Sequence, residues 1–182
     1  MAVQTIRGSG SRGPRMNNPE NETVVIVDGA DTVVDAAPRS MMRATGMLHR
    51  TTYLLVFSSR GELLVQTRTA TKDIFPGLLD FAAGGVVLAG ETYPQSAERE
   101  LHEELGIIVP LEYAFELYFE DIHSLPRNRN WGRAYTCVCD GPFVLQKEEV
   151  ASAEFVGIEA ALKIDPSRVT PDTRQVLLQH LL

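Results

Sequence analysis

A chain of 182 residues with 44% hydrophobic and 23% charged content can bury one sizeable core, with little left for a second. Its net charge is −7. Residues 1–15 hold Arg7, Arg12 and Arg15 and no acid, so the remainder carries 14 basic against 24 acidic residues, or −10. That balance argues against a nonspecific nucleic-acid or membrane binder, and no apolar run has transmembrane length or secretory-signal character. The expected setting is cytoplasmic.

Residues 1–21, rich in Gly, Ser, Pro, Asn and Arg, read as a disordered leader before a single domain over 22–182; Met16 is a candidate start. Residues 23–28 and 32–37 flank a Gly-Ala-Asp turn and predict a hairpin, followed by a short helix over 39–45. Residues 49–58 and 62–68 make a second strand–turn–strand unit. Phe75-Pro76-Gly77 is a break, and 79–88 reads as a strand interrupted by glycines. Next comes a well-delimited helix. Thr92 with Gln95 forms a capping box, Pro94 falls in the first turn, Gly106 suits a left-handed C-terminal cap, and Ala97, Leu101 and Leu105 share one stripe.

Strands are predicted over 112–119, 131–139 and 154–157, with a polar loop over 121–130 between the first two. Helices over 160–163 and 171–182 close the chain, the last started by Thr170 and Pro171. The elements do not alternate as βαβ, which predicts an α+β fold with a mixed sheet between helices. Cys137 and Cys139 lie two apart in a strand and cannot easily pair, so free thiols in a reducing compartment are expected.

The chemistry is concentrated between Gly85 and Gly106. The spacing is G-x5-E-x7-R-E-U-x-E-E-x-G-U, with U aliphatic, carried by Gly85, Glu91, Arg99, Glu100, Leu101, Glu103, Glu104, Gly106 and Ile107. A chance match in a chain this long is on the order of one in ten million, so the pattern calls for a chemical reason. Glu91, Glu98, Glu100, Glu103 and Glu104 crowd around one cation, Arg99. Glu100 and Glu104 lie one helical turn apart on one face, where like charges cost about 0.2–0.5 kcal/mol per pair. A divalent cation reverses that sign, and carboxylate oxygens suit Mg2+ or Mn2+.

The pattern resembles the Nudix box of hydrolases that cleave diphosphates linked to another moiety. The resemblance, which spans approximately residues 23–160, implies an α/β/α sandwich and metal-assisted in-line attack of water on phosphorus. By the same resemblance the Gly84 carbonyl, Glu100, Glu103 and Glu104 are metal ligands, with Glu103 also the expected catalytic carboxylate. Arg99 and Glu91 form an ion pair that orients them. A general base is expected outside the box, and Glu149, Glu148, Glu120 and Asp121 are the candidates.

Residues 48–85 also resemble the corresponding region of isopentenyl-diphosphate isomerases. There an Arg and a Lys contact the substrate diphosphate, at positions that match Arg68 and Lys72. The isomerase's catalytic cysteine position is Gly84, however, and its metal-binding histidine is Val86. Its later glutamate pair has no counterpart in NWGRAYTCVC. Only His49 matches. The expectation is therefore a hydrolase of a small-molecule diphosphate, a nucleoside diphosphate derivative, with an isomerase or a binding module without turnover as alternatives. Trp131, Tyr118 and Phe119 read as sheet aromatics, and His102, His123, Arg127 and Arg129 as polar surface.

Overall fold

The computed structural model describes residues 21–182, so the expected leader lies outside the described residues apart from Asn21. The run HRTTYLLVF becomes almost wholly apolar after Thr52, and a strand of that kind needs cover on both faces. It forms β3 (His49–Phe57), central to an eight-stranded mixed sheet. Before it lie β1 (Thr23–Val27), β2 (Val33–Pro38) and α1 (Arg39–Thr45). After it come β4 (Leu63–Arg68), β5 (Leu79–Asp80), α2 (Tyr93–Leu105), β6 (Glu112–Asp121) and β7 (Asn128–Val138). The chain then forms β8 (Val150–Val156), α3 (Ile158–Leu162) and, after a 3-10 turn, α4 (Pro171–His180).

β3 pairs in parallel with β7 along its whole length and antiparallel with β1 and β4 at its two ends. β4 pairs antiparallel with β5 and β8, and β6 with β7. Alternate β3 side chains serve different layers. Leu54 and Val56 join Ala97, Leu101 and Leu105 of α2, while Tyr53 and Leu55 join Ala161 of α3 and Val176 and Leu177 of α4. Each fully buried leucine contributes about 2 kcal/mol. The result is the mixed sheet between helices expected of the α+β pattern, and the α/β/α sandwich that the resemblance implies.

The α2 boundaries follow the predicted chemistry. Thr92 accepts from the Gln95 N–H and the Gln95 side chain accepts from the Thr92 N–H, completing the capping box. At the other end Gly106 adopts φ 68° and donates its N–H to the His102 carbonyl.

Three expectations need correction. The strand over 79–88 pairs as a ladder only at Leu79–Asp80; beyond it Ala83, Val86 and Leu88 make isolated bridges. Gly84, at φ 132°, takes the backbone out of the pleat there. The polar loop shrinks to residues 122–127, because Glu120↔Arg129 and Asp121↔Asn128 pair across the hairpin and extend β6 and β7 into it. β8 starts at Val150 rather than 154, its polar outer face having hidden its first half. Cys137 is buried and Cys139 partly so, both as free thiols. Among the described residues no helix is long and apolar enough to cross a membrane.

Candidate active site

The backbone at Gly84-Gly85 and the carboxylate face of α2 are built against each other. A Cβ at Gly85 would collide with the Glu100 carboxylate, whose Cδ would lie 2.7 Å away, and one at Gly84 would collide with the Thr52 carbonyl. The Gly84 N–H donates to Glu104 Oε2 at 3.2 Å. Glu100 and Glu104 are both buried, at 7% and 6% exposure. Burial, countered by Arg99, pushes the Glu100 carboxyl above its usual range. Burial and then the charges of Glu100 and Glu149 push Glu104 well above it.

Arg99 ties the ladder together. It chelates Glu91 through Nε (2.7 Å) and Nη2 (3.0 Å), and reaches Glu100 at 2.7 Å and Glu103 at 3.0 Å through Nη1. Glu91 is fixed in turn by the Leu88 N–H. Glu103, with about half its side chain in solvent, stays on the outer side of this network. Among the described residues no three His, Cys, Asp or Glu side chains already converge as a metal cage. The donor set fits an open site instead. Two buried carboxylates lie against Gly84-Gly85, and the Gly84 carbonyl oxygen accepts no hydrogen bond among the described residues. Mg2+ commonly keeps only one or two protein carboxylates and fills its shell with phosphate and water.

An open cleft of about 140 Å3 passes the two glycines. Lys72 lines it and pairs with Glu149 at 2.6 Å. Burial alone would raise the Glu149 carboxyl, but Lys72, Arg39 and Arg68 together hold it below the usual range. Arg68 also lines the cleft, with Nη1 on Asp80 (2.7 Å), Nη2 on the Ile74 carbonyl (2.7 Å) and Nε on the Phe75 carbonyl (3.1 Å). Three of its five N–H donors are thus committed to the fold and two remain.

Arg39, which sequence reasoning missed, lines the same cleft from the start of α1. One Nη1 hydrogen bond ties it to Glu22 (2.9 Å), its buried Nε has no partner among the described residues, and its charge acts on both Glu100 and Glu149. No local motif marks it.

The other base candidates stay apart from this cluster. Glu148 is exposed, Glu120 pairs with Tyr118 and Arg127, and Asp121 caps the His123 N–H. Trp131 and Tyr118 pack edge to face, 5.4 Å between centroids, outside this cleft, and Phe119 is core. His102 and His123 are exposed.

His49 lines the cleft but is 6% exposed, with Nδ1 on the Met47 carbonyl. Burial, reinforced by Arg39 and Arg43, pushes its imidazole down to about 4. The unfolded chain therefore binds the proton first, and stability falls as pH drops below about 6.5, the loss being complete near 4. Between pH 7.5 and 5 the parent should lose on the order of 2 kcal/mol relative to His49→Gln in urea unfolding. Parallel pH curves for the two proteins would remove His49 from that role.

The NUDIX domain family model matches residues 47–179. An uncharacterized Nudix hydrolase of Pseudomonas aeruginosa is 42% identical over 161 residues, covering 88% of this chain and 94% of that one. The uncharacterized Nudix hydrolase YfcD of Escherichia coli is 43% identical over 157 residues, covering 86% and 84%. Among solved structures, DR0079 from Deinococcus radiodurans superposes with a TM-score of 0.75 at 21% identity, over 88% of this chain and 100% of that one. The NUDIX domain of Shewanella oneidensis NrtR, complexed with ADP ribose, superposes at 0.59 with 17% identity over 72% and 85%. These two likenesses speak to fold, while the extent of the family match and the identity to the curated relatives settle membership: the chain belongs to the Nudix hydrolases, enzymes acting on phosphorus-containing acid anhydrides.

Proposed function

We propose that this Nudix hydrolase cleaves the diphosphate linkage of a small-molecule nucleoside diphosphate derivative, with Mg2+ or Mn2+ as cofactor and in a cytoplasmic setting. The observation that carries the reading is the pair of buried carboxylates, Glu100 and Glu104, packed against Gly84-Gly85, where burial first and then neighbouring negative charge, Glu149 included, raise both. A cluster that disfavours its own charge is complete only with a cation. When bound, the metal supplies charge neutralisation of the diphosphate and activation of the attacking water.

The chain's own residues do the rest. Glu100, Glu103, Glu104 and the Gly84 carbonyl would hold the ion, and Glu103 would also steer the water. Arg99 and Glu91 fix the ladder from behind. Lys72, Arg39 and the spare N–H groups of Arg68 meet the phosphate oxygens. Glu149, kept ionised by Lys72, accepts the proton of the attacking water. Gly84 and Val86 provide neither thiol nor imidazole, so alkene isomerisation has no proton-transfer group at these positions. The acidic surface supports a small-molecule partner rather than nucleic acid, and the two free thiols support a reducing compartment.

The test is a panel of nucleoside diphosphate derivatives and isopentenyl diphosphate with Mg2+ or Mn2+, read by release of nucleoside monophosphate or phosphate. Hydrolysis of at least one panel member is expected, and no isomerisation. Metal binding without turnover across the panel would favour a binding module. Lys72→Ala separates roles within the site. It should raise KM and move the acidic limb of the kcat/KM profile upward, because the cation that lowers Glu149 is gone. Unchanged KM and an unmoved limb would return Lys72 to a purely structural part.

A further inference from the structure

The wall of the cleft formed by Tyr53, Asn130 and Asp172 is polar, and its hydrogen bonding does not close. These side chains come from β3, β7 and the first turn of α4. Tyr53 and Asn130 are 3% and 2% exposed. The single Tyr53 hydroxyl proton has two acceptors in reach, Asn130 Oδ1 at 3.1 Å and Asp172 Oδ2 at 3.3 Å. It can serve one of them.

No neighbour makes up the shortage. Thr170 donates its hydroxyl to Asp80 at 2.6 Å, and Thr173 has the Thr170 hydroxyl and carbonyl as its acceptors. Burial and then the Asp80 charge push the Asp172 carboxyl up to about 6 against the easing effect of the Thr173 N–H and the Thr170 hydroxyl, and among the described residues its buried Oδ1 has no hydrogen-bond partner. Asn130 Nδ2 likewise makes no hydrogen bond among the described residues. The arrangement is built rather than incidental, because Gly132 makes room for the tyrosine: a Cβ there would stand 2.6 Å from the Tyr53 ring. A helix-capping role for Asp172 explains its charge near the start of α4, but not the tyrosine and asparagine gathered around it.

An unfilled carboxylate acceptor beside an unfilled amide donor matches a group that both donates and accepts. A hydroxyl does both through a single atom, whereas an amide or nucleobase edge needs two. An ammonium offers no acceptor, and a phosphate or carbonyl offers no donor and meets the negative charges of Asp172 and Asp80. Lys72 and Arg39 line the same cleft, so a ligand can place its diphosphate on the cations and its remaining part on the polar wall.

We propose that Tyr53, Asn130 and Asp172 form a specificity subsite for a hydroxyl of the sugar carried by the diphosphate. The ligand hydroxyl donates to the Asp172 carboxylate and accepts from the Asn130 amide, while Tyr53 holds both side chains in place. Diphosphates bearing a polyhydroxylated group are then favoured over those bearing a plain alkyl chain. The inference rests on the diphosphate-hydrolase reading of the same cleft.

The probes are a nucleoside diphosphate hexose and the same nucleoside diphosphate carrying an alkyl group without hydroxyls, with the corresponding 2′,3′-dideoxynucleoside compounds as a second pair. Both kcat/KM and equilibrium binding are measured for each. The parent should prefer the hydroxylated member of at least one pair tenfold or more. Asp172→Asn and Tyr53→Phe should each reduce that ratio at least fivefold, with thermal melts reporting that the variants fold.

A binding preference that these variants abolish, without turnover of any probe, keeps the subsite and sinks the hydrolase reading. Turnover with no hydroxyl preference in either pair overturns the subsite and leaves the hydrolase. A preference that survives in both folded variants also overturns it.

Discussion

Glu104→Gln should slow Mg2+-dependent turnover about 10–100-fold and, in metal-free buffer, raise the melting temperature. The two effects have one cause. Glu104 is 6% exposed and its carboxyl is pushed well up by burial first, then by Glu100 and Glu149. A carboxyl whose folded pKa lies above its unfolded value favours the fold while protonated, and that stability is lost as pH rises through the folded pKa. Glutamine keeps the shape and the acceptor for the Gly84 N–H but carries no charge, so the variant escapes the loss and its advantage widens from acid to alkaline pH. Mg2+ acts oppositely, since an ion bound only by the native state stabilises it by an amount that grows with the logarithm of its affinity. Saturating Mg2+ should therefore lift the parent more than the variant and narrow or invert the order of melting temperatures. Equal turnover, or equal stabilisation of both proteins by Mg2+, would sink Glu104 as a ligand.

Much of this was legible because the chemistry constrains local spacing. Thr92, Gln95 and Gly106 name the ends of α2, and the Glu100–Glu104 interval names its functional face, all from interactions within a few residues. The hidden parts are those that only tertiary structure brings together. Glu148 and Glu149 are equal in sequence. The turn at Gln146, whose carbonyl accepts from the Glu149 and Val150 N–H groups, leaves Glu148 exposed and Glu149 facing Lys72. Arg68 carries a basic charge in sequence, but its partner Asp80 appears only once β4 and β5 pair. The Arg39 charge acts on Glu100 and Glu149 because α1 lines the cleft. Tyr53 and Asp172 are 119 positions apart, a separation no motif spans.

Arg99→Ala should be the most damaging change in the ladder, lowering stability by about 2–3 kcal/mol along with activity. Removing one partner of a fully buried ion pair costs about 3–5 kcal/mol, because the other charge is left stranded. Here about a fifth of each of the Arg99 and Glu91 side chains still meets water, which places the loss below that range. Burial by itself would raise the Glu91 carboxyl, but the Arg99 contacts and the Leu88 N–H hold it below its usual value. The stability it contributes is present above the ordinary glutamate range and lost as pH falls through its folded pKa, so the cost of Arg99→Ala is fully expressed at neutral pH. Glu100 loses its 2.7 Å partner at the same time and becomes harder to ionise, so the pH–rate profile should move toward alkaline values. Arg99→Lys should rescue only part of this, since an ammonium cannot chelate Glu91 while reaching Glu100 and Glu103. The decisive measurement is urea unfolding of Arg99→Ala, Glu91→Gln and the double variant. If the stranded carboxylate is the cause, the double variant is more stable than Arg99→Ala alone. Additive losses, or a single-variant loss within 0.5 kcal/mol of the parent, would show that the fold does not depend on this pair.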